Sequence, residues 1–136
     1  MISAREIGPQ RYRASYGRYF EDFNIGDVYE HRPGRTLTDH DNIQFALMTM
    51  NQHPMHCDMA YAKKSEFGRL LISSPLSLAV VVGLTVNDVS AKAVANLGWN
   101  NIKLSRRFLP ATPCTLKPKC WRSAVPNRAH IKASLP

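Results

Sequence analysis

The spacing of apolar residues changes several times along the chain, and each change marks an element. Residues 1–18 are polar and basic with little apolar patterning, which predicts a flexible lead-in. Tyr19-Phe20-Glu21-Asp22-Phe23 leads into Ile25-Gly26-Asp27, a turn sequence. Val28 to Arg32 alternates as a strand does, and Pro33-Gly34 is expected to end it. Thr38 stands three residues before Asp41, the form of a capping box. Ile43, Leu47 and Met50 then fall on one face, so a helix is predicted from about Asp39 to Met50, with Phe45 off that stripe. After Asn51 to Asp58, Asp58 can cap a second helix that runs from Met59 to Phe67 and ends near Gly68.

Leu70-Leu71-Ile72 reads as a short buried strand. Ser74 is placed to cap a long helix, with Pro75 in its first turn, where a missing N–H costs nothing. Leu76, Ala79, Val80, Gly83, Leu84 and Asn87 continue its period, and Val81, Val82 and Val86 make it apolar almost all round. A helix of that kind is expected to be buried. Ala93 to Leu97 and Ile102 to Leu104 read as strands. A buried helix between strands in one small domain points to an α+β fold with a sheet wrapped round one helix. No internal repeat is visible.

The length of 136 residues fits one domain with one core. The longest apolar run, Leu76 to Val86, is interrupted by Ser77, Gly83 and Thr85 and is too short for a bilayer. Arg5, Glu6, Arg11 and Arg13 leave no apolar signal-peptide core near the start. The three cysteines have no framework spacing, so a reducing, cytoplasmic setting is the default. The net charge of +8 is uneven: Lys117, Lys119, Arg122, Arg128 and Lys132 lie beyond Pro110, where no acid occurs. That segment reads as a solvated basic tail. A nucleic-acid arm is not expected, because the basic residues follow no periodic face and only Trp121 interleaves them.

Candidate chemistry gathers in Asn51-Gln52-His53-Pro54-Met55-His56-Cys57-Asp58. Polar groups on a short loop between helices suit a site on a rigid scaffold. His53, His56, Cys57 and Asp58 offer metal-ligand atoms, but no second ligand pair at zinc-site spacing follows, so no metal is expected. Cys57 beside His56 lacks a third orienting group, and a structural thiol is the better reading. Ser73 and Ser74 lack the nucleophile elbow, and no glycine-rich phosphate loop is present. Acid–base chemistry remains: His56 can move protons near neutral pH, and the amide of Asn51 can hold a water or a substrate oxygen. Free N–H groups where the helix starts at Ser74-Pro75 suit a developing enolate oxygen. A histidine with a purely structural role stays an open alternative at this level.

Together with Tyr19 to Asp27, Gly34-Arg35-Thr36, Thr38, Asp41, Tyr61-Ala62, Ser65 to Arg69 and Val94-Ala95-Asn96-Leu97-Gly98-Trp99, this block resembles the MaoC-like dehydratases over about residues 19–109. Within them it is most similar to the mesaconyl-CoA hydratase (β-methylmalyl-CoA dehydratase) branch. The resemblance implies a hot-dog fold, a homodimer, and reversible addition of water to an enoyl-CoA. It implies no cofactor beyond the coenzyme A of the substrate, and neither nucleic acid nor membrane as a partner. His56 matches the family's catalytic histidine and Pro54 its proline, while Asn51 stands where the catalytic aspartate is usual and His53 where asparagine is usual. The implied roles are His56 as general base and acid, Asn51 orienting the water, and backbone N–H groups near Ser74, Asn96 or Gly98 polarising the thioester carbonyl. His53 and Asp58 are expected to support them from behind, with helix capping the stronger role for Asp58. A non-catalytic acyl-CoA-binding subunit of the same fold is the alternative, favoured by the missing acid.

After Phe108 the family pattern continues Pro-Gly-Asp-Thr-Leu, whereas this chain has Pro110-Ala111-Thr112-Pro113-Cys114-Thr115-Leu116. Reading the same codons one base earlier, one consistent choice turns residues 111–136 into GDTLYAETEVLEKRGPESRPYQGVVT. That peptide carries acids and strand-like alternation, which the written tail lacks. The expectation is therefore a truncated hot-dog domain over 19–109 followed by an out-of-frame tail over 110–136, and a product that is poorly folded and inactive as written.

Overall fold

The computed structural model describes residues 3–99, 102, 104, 109–110, 113–122 and 129–134. The chain forms two compact units. One holds residues 1–33, 82–100 and 115–136, and the other holds 34–81 and 101–114.

In the first unit, β1 (Ser3–Gly8) and β2 (Arg11–Ser15) pair antiparallel, with Ala4 opposite Ala14 and Glu6 opposite Tyr12. A hairpin thus stands where a flexible lead-in is predicted. Its side chains are exposed throughout β2, so no buried face imprints a period-two pattern on the sequence. The turn at Asn24 to Asp27 forms as expected, with the Asp27 N–H donating to the Asn24 carbonyl at 3.2 Å and Gly26 at φ +97°.

The strand predicted from Val28 begins later, as β3 (His31–Thr36), and runs through Pro33-Gly34. β3 lies at the edge of a three-stranded sheet ordered β3-β4-β5, where a proline without an N–H is tolerated. β4 (Pro113–Arg122) and β5 (Ala129–Ser134) pair antiparallel, Cys120 opposite Ile131, so much of the predicted tail is strand. Ala93 to Leu97 is not strand, and Val94 and Leu97 are almost wholly exposed. Ile102 and Leu104 are likewise outside any strand, and Phe108 lies outside the described residues.

Buried chemistry in this unit centres on Asp88, within a π-helical segment Val86–Ser90. Its carboxylate accepts from Nδ1 of the buried His31 at 2.7 Å, and its backbone carbonyl accepts from the Arg18 guanidinium. That guanidinium also lies 4.5 Å above the Tyr29 ring, a cation–π contact. Gly17 is required here: a Cβ on it would sit 2.7 Å from the Lys92 nitrogen, and its N–H donates to the Asn87 carbonyl at 2.6 Å.

In the second unit, α1 (Asp39–Met48) starts as its sequence predicts. The Thr38 hydroxyl accepts from the Asp41 N–H at 3.2 Å, and the Asp41 carboxylate accepts from the Thr38 N–H at 2.9 Å. These bonds from Thr38, first the backbone and then the hydroxyl, hold the Asp41 carboxyl below the usual aspartate range. Burial opposes the shift, and the charges of Arg35 and His40 add to it. A carboxyl depressed in the folded state stabilises above its unfolded pKa and loses that contribution as pH falls through the folded value. Thr38→Ala is expected to cost about 1 kcal/mol at neutral pH, a penalty that shrinks below about pH 4. Denaturant unfolding of both forms at pH 7 and pH 3 checks this, and an equal penalty at both would refute it.

The buried face of α1 is Asn42 and Ala46, not the predicted Ile43, Leu47 and Met50 stripe, of which Leu47 and Met50 are exposed. Apolar spacing identified the helix but picked the wrong side, because the inward face carries a small residue and a hydrogen-bonded amide. α2 (Pro54–Cys57) is a single turn inside the expected loop, and α3 (Met59–Lys63) stops short of Gly68. Beyond α3, successive tight turns take over, with Ser65 N–H on the Ala62 carbonyl at 3.1 Å and Gly68 N–H on Ser65 at 3.2 Å. Leu37, Ala62, Leu70, Ile72 and Leu76 form the core of this unit. A fully buried leucine such as Leu70 contributes about 1.5–3 kcal/mol.

Leu70-Leu71-Ile72 is buried as expected but is not a strand. Side chains and α2 take the place of sheet partners: the Leu71 N–H donates to the Met55 carbonyl at 3.1 Å, and the Ser73 N–H donates to Asn42 Oδ1 at 2.9 Å. α4 (Ser74–Thr85) follows, and the Ser77 N–H bonds the Ser73 carbonyl at 3.0 Å. The capping position therefore falls on Ser73, one residue before the expected Ser74. α4 is less buried than its composition predicts: Leu76 and Ser77 are buried, Val80, Val81 and Val82 half-buried, and Ala79 and Gly83 exposed.

Candidate active site

Asn51 closes α1. Met50 takes a left-handed conformation at φ +55°, and the Asn51 N–H returns to the Ala46 carbonyl at 2.9 Å. Its Oδ1 accepts from the His53 N–H at 3.2 Å. His53 caps α2: its Nδ1 accepts from the Met55 N–H at 3.2 Å, and Pro54 takes the first helical position. The His53 ring is exposed and sits 5.7 Å from the His56 ring, centroid to centroid.

His56 is half-buried on α2. Its Nδ1 lies 2.8 Å from the Leu71 carbonyl oxygen. A carbonyl only accepts, so Nδ1 carries a proton, and in the neutral ring Nε2 holds the lone pair. The ring is thereby set to take a proton at Nε2. Asp58 does not orient it: its side-chain Oδ1 instead caps α3, accepting from the Ala60 N–H at 2.8 Å and the Tyr61 N–H at 3.1 Å. The group that orients His56 is a backbone carbonyl fifteen residues on.

The fold brings Asn51, His53 and His56 onto one short stretch of the second unit, and Ser74, exposed at the start of α4, belongs to the same unit. Asn96 and Gly98 belong to the other unit, in an exposed stretch where the Gly98 N–H donates to Asn96 Oδ1 at 3.2 Å. Cys57 is half-buried and its thiol points to the His53 carbonyl at 3.6 Å, in line with a structural role. Among the described residues no three metal-ligating side chains converge, and no helix is long and apolar enough to cross a membrane. An open groove of about 590 Å³ runs along α1 from His40 to Met48, against Leu76, and none of the candidate residues lines it. Sequence reasoning missed Asn42, whose amide reaches this stretch. Its only sequence signal is the four-residue spacing to Ala46, which marks a buried face once the α1 orientation is known.

These elements are those of a hot-dog fold. The R-hydratase PhaJ1 of Pseudomonas aeruginosa superimposes with a TM-score of 0.66 at 16% identity, covering 89% of this chain and 77% of that one. Residues 22–117 match the MaoC like domain, and the chain belongs to that family. It is 31% identical over 100 residues to the mesaconyl-CoA hydratase of Haloarcula marismortui, covering 74% of this chain and 28% of that protein. It is 32% identical over 83 residues to the β-methylmalyl-CoA dehydratase of Chloroflexus aurantiacus, covering 61% and 24%. The chain therefore spans about a quarter of the length of these curated relatives.

Proposed function

We propose that Asn51 and His56 serve the reversible hydration of an enoyl-CoA thioester, with mesaconyl-CoA and β-methylmalyl-CoA as the substrate pair. The observation that carries this reading is the His56 Nδ1 lying 2.8 Å from the Leu71 carbonyl oxygen, which leaves Nε2 as the ring nitrogen free for the substrate side. In the hydration direction, Nε2 takes a proton from water as the water oxygen bonds to the β-carbon. The double-bond electrons move onto the thioester oxygen as an enolate. His56 then returns a proton to the α-carbon, which restores the thioester and leaves the ring neutral. Asn51 orients the water through its amide, and because an amide cannot take the proton, His56 performs both transfers. N–H groups at the start of α4, near Ser74, stabilise the developing negative charge on the thioester oxygen. The Gly98 N–H belongs to the other unit and is already engaged by Asn96 Oδ1.

The reading includes no cofactor beyond the substrate's own coenzyme A, a homodimer as the working form, and a cytoplasmic setting. It also keeps residues 110–136 as an out-of-frame tail, a reading that rests on the decoded peptide, while the domain match itself runs on to residue 117. The second reading, a subunit that binds acyl-CoA without turnover, draws on Asn51 in the place of an acid. Both are tested by supplying mesaconyl-CoA and crotonyl-CoA to the chain and to a form with GDTLYAETEVLEKRGPESRPYQGVVT in place of residues 111–136. Loss of enoyl-thioester absorbance with the frame-restored form supports the hydratase. Tight binding without turnover supports the subunit, and neither binding nor turnover refutes both.

A further inference from the structure

Asn42 lies outside the Asn51 to Asp58 block and has no place in the proposed chemistry, yet its side chain is fully buried against it. Its Nδ2 donates twice, to the His56 backbone carbonyl at 2.9 Å and to the Leu71 carbonyl at 2.8 Å. Its Oδ1 accepts from the Ser73 N–H at 2.9 Å. The Leu71 oxygen is the same atom that receives the His56 Nδ1 proton, so its two lone pairs serve one amide and one imidazole. One buried amide therefore fixes the backbone of His56, the acceptor that sets the His56 tautomer, and the residue just before α4. No other side-chain type of this size offers two donors and an acceptor on one rigid plane.

We infer that Asn42 is a positioning residue for His56: it holds the Leu71 carbonyl in place, so that the ring keeps its proton on Nδ1 and presents Nε2. The kinetic consequence rests on the proposed role of His56, but the tautomer does not. Aspartate at this position keeps the acceptor for Ser73 but loses both donors and sets a carboxylate against two carbonyl oxygens. Alanine loses all three bonds.

The test is ¹⁵N NMR of histidine-labelled protein, in the 136-residue chain and in its frame-restored form, together with steady-state turnover of crotonyl-CoA and mesaconyl-CoA. The parent protein is expected to show the Nδ1-protonated tautomer. Asn42→Ala and Asn42→Asp are expected to shift His56 toward the other tautomer and to lower kcat by about 10- to 100-fold, with KM changed less than about threefold. A parent His56 protonated on Nε2 would overturn the inference. So would variants whose kcat falls while the tautomer stays as in the parent, since that outcome marks a structural role alone. If neither variant folds, solvent exchange of the Asn42 side-chain amide protons in the parent decides: slow exchange supports the inference, and exchange at the rate of an exposed amide overturns it. His56→Ala separates the two levels. Normal turnover in that variant removes the hydratase role of His56, while the tautomer result still decides what Asn42 does.

Discussion

His56→Ala is expected to lower enoyl-CoA turnover by about 10²- to 10⁴-fold, the usual worth of a positioned general acid–base group. The loss is expected to stay within that range, because the exposed His53 ring, 5.7 Å away, is a partial substitute for moving protons. Asn51 is an amide, and the Asp58 carboxylate is committed to the Ala60 and Tyr61 N–H groups. The loss falls on kcat, since the ring acts on water in the transition state rather than holding the coenzyme A portion. Asn51→Asp offers the informative contrast. It restores the carboxylate that the family usually has there, and turnover in that variant is expected to be kept or raised. Steady-state kinetics of the parent and both variants in the frame-restored form check the scheme, which a His56→Ala protein of near-parental kcat would end.

Replacing residues 111–136 with the decoded peptide is expected to have the second large effect. The chain as written is expected to unfold early and over a broad range, and the restored form to unfold later and sharply. Val94, Leu97 and Trp99 are exposed in a stretch that forms no strand among the described residues, and Ala79 and Gly83 on α4 and Val86 just after it are open to water. Each large apolar side chain returned to cover is worth roughly 1.5–3 kcal/mol, and whole domains are stable by only about 5–15 kcal/mol. A few such residues therefore decide whether the fold is cooperative. Calorimetry of the two forms measures the difference, and an equally sharp melt for both would refute the expectation. Sequencing the gene across codons 105–115 shows which of the two the cell makes.

What could be read from the sequence was what is local. The Thr38–Asp41 capping box and the Asp58 cap need only residues three apart, and both form as read. The turn at Asn24 to Asp27 depends on Gly26 and also forms. Readings that depended on distant partners fared differently. Leu70 to Ile72 has the composition of a strand, but the groups that complete its hydrogen bonding are an asparagine on α1 and the backbone of α2. Ala93 to Leu97 likewise has strand composition, and strand geometry needs a neighbour that composition does not supply. At the candidate site, family resemblance is what points to Asn51 and His56. It did not show that the ring is aimed by the Leu71 carbonyl rather than by Asp58, because that carbonyl arrives through tertiary packing.

The π-helical turn after α4 has a consequence for how this chain tolerates change. The Ala91 N–H reaches back five residues to the Val86 carbonyl at 2.8 Å, so one residue is accommodated without completing an extra turn. In an α-helix each residue advances by roughly 100°, and everything past the wide turn is set back by about that angle. The wide turn works as a gear with one extra tooth, and its phase is what brings Asp88 to His31 and Val89 to the interior. In this stretch the count of residues matters as much as their kind. A chain one residue shorter between Val86 and Ser90 keeps the same helix-forming letters and meets the strand with the wrong side chain.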